Sequence, residues 1–94
     1  MQIESLQNDK IKKLTRLISK NNERRKNGVF IVEGVQENER AIQFGYTPTE
    51  FFICNDIFHG ELPKAPVNYV AAKVYESIAY RGSSEGVDGI YEEK

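Results

Sequence analysis

Short apolar runs alternate along the chain with segments that carry a helical spacing of hydrophobic residues, and this alternation constrains the fold more than any other feature. The run "VFIV" at residues 29–32 has no polar alternation, which is typical of a strand covered on both faces. Comparable runs are "EFFIC", "VNYV" and "VDGIY". Helices between successive strands imply right-handed crossovers. The sequence therefore predicts an α/β fold: a three-layer α/β/α sandwich around a mostly parallel four-stranded sheet.

The bulk properties indicate one small domain in a reducing compartment. The chain has 94 residues, of which 39% are hydrophobic, enough for a single core. Cys54 is the only cysteine, so no intramolecular disulfide is possible. No apolar run approaches the length of about 20 residues that a transmembrane helix needs, and the N-terminus lacks a signal-peptide pattern. We expect a soluble cytoplasmic protein with no membrane partner.

Positive charge is concentrated in the first quarter of the chain. Residues 1–26 hold eight basic and three acidic residues, a net charge of +5, whereas residues 27–94 hold five basic and eleven acidic residues, a net charge of −6. Asn8 or Asp9 is suited to cap a helix. The apolar residues that then recur at helical spacing are Ile11, Leu14, Leu17 and Ile18. We predict a helix that ends near residues 20–22, with its cations opposite its apolar face.

This basic segment permits two interpretations. Cations grouped on one surface neutralise phosphates and release counterions, and the guanidinium groups of Arg24 and Arg25 are suited to phosphate oxygens. The alternative is an ordinary solvated surface helix. The residues alone leave both open.

The "EG" at residues 33–34 ends a predicted strand and begins a predicted helix. Gly34 permits close approach of another backbone, and a helix N-terminus offers N–H groups to a phosphate. Gln36 and Asn38 are placed to add base or sugar contacts. The alternative, which the residues favour, is a tight turn with Glu33 as a polar cap.

No catalytic constellation is recognisable in the sequence. Cys54 and His59 are the only candidates for a nucleophile and its base, and their spacing matches no zinc or protease pattern. Glycine spacings that cradle a pyrophosphate are absent. The acidic residues are scattered, so they indicate neither a metal site nor an acid–base pair.

In its combination of features, the sequence resembles the N-terminal substrate-binding domain of the SpoU (TrmH-type) RNA 2'-O-ribose methyltransferases. The matching residues are Ser5, Gln7, Asn8, Ile11, Lys12, Lys13, Leu14, Leu17, Arg24, Arg25, Lys26, Gly28, Phe30, Val32, Glu33 and Gly34. The tail "SSEGVDGIYEE" is similar to the strand that closes this domain, with Glu85 and Gly86 where the family often has Gln-Gly. The likeness covers almost the whole chain and is densest in residues 5–45.

The resemblance implies the fold of the ribosomal proteins that bind kinked RNA. Those proteins contact RNA through the turn after their first strand, in a Gly-x-x-Glu context that "GVQE" at residues 34–37 matches. In the family, catalysis belongs to a second, knotted domain that binds S-adenosylmethionine, and its motifs are absent from this sequence. We expect residues 1–94 to be a single RNA substrate-binding domain, excised from the N-terminal part of a longer methyltransferase, with no cofactor and no catalysis of its own.

The expected function is to recruit structured ribosomal RNA to that separate catalytic domain, in a full-length protein that is a homodimeric ribosomal RNA 2'-O-methyltransferase. RNA of the large ribosomal subunit is the favoured partner. Two alternatives are a self-standing kink-turn-type RNA-binding protein and an α/β protein-interaction module. The candidate RNA-binding residues are Asn8, Lys10, Lys12, Lys13, Arg16, Lys20, Arg24, Arg25, Lys26, Glu33, Gly34 and Gln36.

Overall fold

The computed structural model describes residues 2–78 and 85–93, which form one sheet with helices on both of its faces. Within these ranges there are five strands and four helices. In chain order they are β1 (Gln2–Ile3), α1 (Asp9–Ser19), α2 (Asn21–Asn27), β2 (Val29–Glu33), α3 (Val35–Gln43), β3 (Pro48–Ile53), β4 (Val67–Val70), α4 (Ala72–Ile78) and β5 (Val87–Glu92). None of the helices in the described ranges is both long enough and apolar enough to cross a membrane.

The sheet is mixed, with strand order β1-β4-β3-β5-β2. β1 pairs with β4 in parallel, and so does β3, but β5 runs antiparallel to both of its neighbours, β3 and β2. The prediction of an α/β fold is confirmed, whereas the four-stranded, mostly parallel sheet is corrected to a five-stranded mixed one. A continuous apolar run indicates that a strand is buried on both faces, but it does not indicate the direction of the strand. The sequence therefore did not determine the direction of β5.

Alternate residues along the strands divide the interior into two cores. Phe52 of β3 packs toward α1 and α4, whereas its neighbours Phe51 and Ile53 pack toward α3 and the loop between β3 and β4. This alternation is the two-residue period of a strand. The first core also contains Ile11, Leu14, Leu17, Cys54, Val70, Val74, Tyr75, Ile78 and Ile90. The second core also contains Ala41, Val87 and Tyr91.

Helix α1 follows its sequence pattern closely. The Asn8 side chain accepts a hydrogen bond from the Lys10 backbone N–H and caps the helix. Of the predicted inner face, Ile11, Leu14 and Leu17 are buried and Ile18 is half-buried. The helix ends at Ser19, close to the predicted end. The chain then makes a second helix, α2, beyond the end that the sequence predicted for the basic helix. Gly28 ends α2 in the left-handed conformation, with a φ of 63°, as glycine commonly does at a helix C-terminus.

Candidate nucleic-acid interface

Helices α1 and α2, with Lys20 between them, carry a group of exposed cations. Their side chains project from helices whose other sides cover β2 and the first core. Among the residues that the structure describes, none forms a hydrogen bond or an ion pair with these basic side chains. We call the group the cationic surface; its members are Lys12, Arg16, Lys20, Arg25 and Lys26.

Two further lysines of α1 are tied to the sheet. Lys13 Nζ lies 3.0 Å from Glu50 Oε2, and Lys10 Nζ lies 3.7 Å from Glu50 Oε1. Asn68 Nδ2 of β4 also donates to Glu50, at 2.9 Å. Burial alone would raise the pKa of Glu50, but the hydrogen bonds from Lys13 and Asn68 and the charges of both lysines lower it below its ordinary value. Glu50 thereby anchors the inner edge of the basic helix.

Arg24 is directed at the protein's own backbone. Its guanidinium donates to the carbonyl oxygens of Leu17 and Ile18 in the last turn of α1 and to Asn21 Oδ1. A helix C-terminus has carbonyls without helical partners, so Arg24 closes α1 and fixes the angle between α1 and α2. Arg25, the next residue, is exposed.

A groove of about 190 Å³ lies between α1 and α2. Lys13, Arg16 and Leu17 of α1 form one wall, and Glu23 and Asn27 of α2 form the other. Leu17 is only 2% exposed and belongs to the first core. The groove therefore has an apolar base, a cationic side and an acceptor-bearing side.

The turn between β2 and α3 is surrounded by carboxylates. Gly34 has a φ of 103°, and its N–H donates to the Val87 carbonyl. The Val35 N–H donates to Glu85 Oε1 at 3.1 Å, so this N–H already has an anionic acceptor. A Cβ added at Gly34 would lie 2.5 Å from Glu37 Oε1. The Val35 N–H is therefore not open to phosphate, as the phosphate-binding interpretation of this turn would require.

The family model for the MRM3-like substrate binding domain matches residues 8–89. The chain belongs to this family. The MRM3-like domain is also similar in fold to solved methyltransferases. An RNA 2'-O ribose methyltransferase superposes with a TM-score of 0.83 at 24% identity, covering 100% of this chain and 38% of its own. The resemblance to the substrate-binding domain of SpoU-type enzymes is thus confirmed.

Two other solved structures share the fold. An rRNA methyltransferase from Sinorhizobium meliloti, with bound AdoMet, has a TM-score of 0.77 at 20% identity over 100% of this chain and 37% of its own. The SpoU methyltransferase AviRb from Streptomyces viridochromogenes, in complex with AdoMet, has a TM-score of 0.76 at 14% identity over 94% of this chain and 36% of its own. The MRM3-like domain thus spans less than two-fifths of these proteins. No curated protein matches it significantly in sequence.

The MRM3-like domain separates the predicted RNA-binding residues into two places. One place is the α1–α2 segment before β2, which holds the cationic surface, Lys10, Lys13 and Arg24. The other is the far end of β2, where Glu33, Gly34 and Gln36 lie. Five residues of strand separate the two places, about 16 Å at 3.3 Å per residue. Asn8 is engaged as the cap of α1, and Gln36 is exposed in the first turn of α3.

Asn38, considered above for base contacts, is fully buried. Its Nδ2 donates to the carbonyls of Val32 and Gly34, and its Oδ1 accepts from the Tyr91 hydroxyl at 2.8 Å. This corrects the earlier interpretation, because a side chain with these partners fixes the turn from inside and does not reach a ligand.

Sequence reasoning missed a buried acid, Asp88 of β5. It is 1% exposed, and its Oδ1 accepts from the Tyr75 hydroxyl at 3.1 Å. Burial first, and then the charge of Glu33, raise the pKa of Asp88 to about 7. The sequence feature that could have revealed Asp88 is its position as the one acid within the apolar run "VDGIY". Within residues 2–78 and 85–93, no group of three or more His, Cys, Asp and Glu residues is arranged to hold a metal ion.

Proposed function

We propose that this domain binds structured ribosomal RNA and presents it to a separate 2'-O-methyltransferase domain. One observation carries the proposal: the chain has a net charge of −1, yet five exposed cations lie together on α1 and α2. A polyanion is the partner for which such a surface is suited. Membership of a substrate-binding family and the RNA methyltransferases of the same fold support RNA as that polyanion.

We also propose that the cationic surface recognises RNA by its shape and backbone. The cationic surface consists of long, separate side chains on two helices, which are suited to phosphates and not to a defined base sequence. RNA of the large ribosomal subunit remains our favoured partner within this class. The reaction takes place in the full-length protein, which we propose to be a cytoplasmic homodimer.

The groove between α1 and α2 is unsuited to S-adenosylmethionine. Its wall with Lys13 and Arg16 is cationic, which disfavours a sulfonium. We therefore propose that the methyl donor binds outside residues 1–94, in the catalytic domain.

The test is binding of the domain to ribosomal RNA fragments across a salt series. Five cations that no residue of 2–78 and 85–93 pairs, each neutralising one phosphate, predict a slope of log K against log salt of about −4. The variant Lys12→Gln/Arg16→Gln removes two of them without touching Glu50 or Arg24. We expect weaker binding and a slope shallower by about 1.5 to 2.

The matched control is Arg40→Gln/Lys64→Gln. Both residues are exposed, and both lie on the side of the sheet covered by α3, so the net charge changes equally while the cationic surface stays intact. Equal losses of RNA affinity in the two variants would mean that only the overall charge of the domain determines binding. Absence of salt-dependent binding by the wild-type domain would refute RNA binding and favour an acidic protein partner.

A further inference from the structure

We propose that the groove between α1 and α2 is a subsite for one unpaired nucleotide and that it prefers guanine. The inference rests on the proposed function, because it assigns a base-reading role to a groove at the edge of the cationic surface. Each wall of the groove offers a different chemistry, and together they match the parts of a nucleotide.

The α1 wall is suited to the phosphate. Arg16 is exposed, and no described residue hydrogen-bonds its guanidinium, so its fork of N–H donors is available to phosphate oxygens. Lys13 lies one helical turn earlier and is held by Glu50 at 3.0 Å. It therefore adds positive charge at a fixed place in the groove, while Arg16 makes the direct contact.

The α2 wall is suited to a base that donates hydrogen bonds. Glu23 is half-buried, and no donor among the described residues reaches its carboxylate. Asn27 lies one turn later, and its Nδ2 donates one of its two N–H groups to the Glu23 backbone carbonyl at 2.7 Å. Its Oδ1 accepts a hydrogen bond from no described residue and faces a ligand as an acceptor. The wall presents acceptors, a carboxylate and an amide oxygen.

The Glu23 carboxylate, which only accepts hydrogen bonds, discriminates among the four bases. Guanine carries two adjacent donors, N1–H and the N2 amino group, on its Watson–Crick edge, which match the two oxygens of the Glu23 carboxylate. Cytosine and adenine offer a single amino group. Uracil has one N–H between two carbonyls, and those carbonyls would face the acceptors. Only an unpaired nucleotide exposes its Watson–Crick edge to a protein. The groove therefore selects a nucleotide in a loop, in a bulge or at an end.

The experiment titrates the ¹⁵N-labelled 94-residue chain separately with guanosine, adenosine, cytidine and uridine 5'-monophosphates. A second arm uses RNA hairpins with the same stem and a loop in which one guanosine replaces one uridine. We expect amide shifts centred on Arg16, Glu23 and Asn27, and guanosine monophosphate to bind at least about fivefold more tightly than uridine monophosphate.

The variant Glu23→Gln replaces the carboxylate with a group that has one acceptor and one competing donor. We expect the preference for guanine to fall to within about twofold, while the salt slope for ribosomal RNA stays unchanged. The control is Glu39→Gln, which makes the same substitution at an exposed position of α3 and should keep the preference.

Equal binding of the four nucleotides and of the two hairpins would overturn the subsite, and so would shifts centred away from the groove. In either case, steep salt dependence with ribosomal RNA would leave the proposed function intact. Failure of both the nucleotides and the RNA to bind would overturn both proposals. A guanine preference that persists in Glu23→Gln would show that another part of the domain reads the base.

Discussion

Replacement of Asp88 by asparagine tests the electrostatics of the domain most directly. Asp88 lies in β5, paired in register with Glu33 of β2, and is almost completely buried. The Tyr75 hydroxyl donates to its Oδ1, whereas its Oδ2 has no hydrogen-bond partner among the described residues. Asparagine keeps the shape and the oxygen that Tyr75 needs, but it cannot ionise.

The sign of the effect follows from the raised pKa. An ordinary aspartate has a pKa of 3.8, and in the folded domain the pKa of Asp88 is about 7. Below pH 3.8 the carboxyl is protonated in both the folded and the unfolded state and costs nothing. Between these values the unfolded state ionises first, so stability falls as the pH rises. Above pH 7 the full cost is present, about 4 kcal/mol at about 1.36 kcal/mol per pKa unit.

The assay is urea denaturation at pH 5, 6, 7 and 8. For the wild-type domain, the Asp88 carboxyl should lower the free energy of unfolding by about 2 to 3 kcal/mol between pH 5 and pH 8. In Asp88→Asn this decline should disappear, whatever constant offset the new amide group causes. The control Asp56→Asn removes an exposed carboxyl and should keep the decline.

Two results would refute this reasoning. One is a wild-type free energy of unfolding that varies by less than about 0.5 kcal/mol across the range. The other is an equal decline in Asp88→Asn and the wild type. Either would mean that the carboxyl is solvated or paired in solution, and that burial does not set its pKa.

Further predictions concern the backbone and the anchor of α1. Gly86→Ala places a Cβ 2.9 Å from the Phe58 backbone nitrogen at a φ of +83°, and should destabilise by at least about 3 kcal/mol in urea unfolding. Gly28→Ala, with open space at a φ of +63°, should cost only about 1 kcal/mol. Glu50→Gln should cost about 1–2 kcal/mol at pH 7. Because the pKa of Glu50 is lowered, the wild-type advantage should vanish as the pH falls below 4.5; an undiminished gap there would contradict the ion pair with Lys13.

The parts of the fold that the sequence predicted are those determined by local periodicity. The inner face of α1 was readable because Ile11, Leu14 and Leu17 recur at helical spacing, and all three are buried. The cap at Asn8 was readable from side-chain chemistry. The apolar runs predicted β2 to β5 as strands because each strand spans most of a run.

The features that the sequence did not reveal depend on contacts between distant segments. β1 has two residues and is fixed by pairing with β4 at Tyr69 and Val70, which leaves no hydrophobic run to recognise. The partners of Glu50 come from α1 and β4, and Glu85 reaches Val35 across 50 positions. Helix α2 has no buried residue, so no apolar periodicity marks it. The position of α2 is fixed by hydrogen bonds to backbone carbonyls. Arg24 donates to the last turn of α1, and the Gly28 N–H donates to the last turn of α2.

These long-range contacts change what the positive charge of the first 26 residues means. The first 26 residues hold eight cations. If all of them neutralised phosphates, the slope of log K against log salt would be about −6 to −7. Lys10 and Lys13 would leave the Glu50 carboxylate unpaired if they turned to RNA, and an unpaired buried carboxylate is costly. Arg24 would likewise leave the last carbonyls of α1 without donors. The structure therefore divides the eight cations into three anchors, which are Lys10, Lys13 and Arg24, and the five of the cationic surface, which no described residue pairs. A measured slope near −4 would agree with this division, whereas one near −7 would mean that the anchors are released on binding.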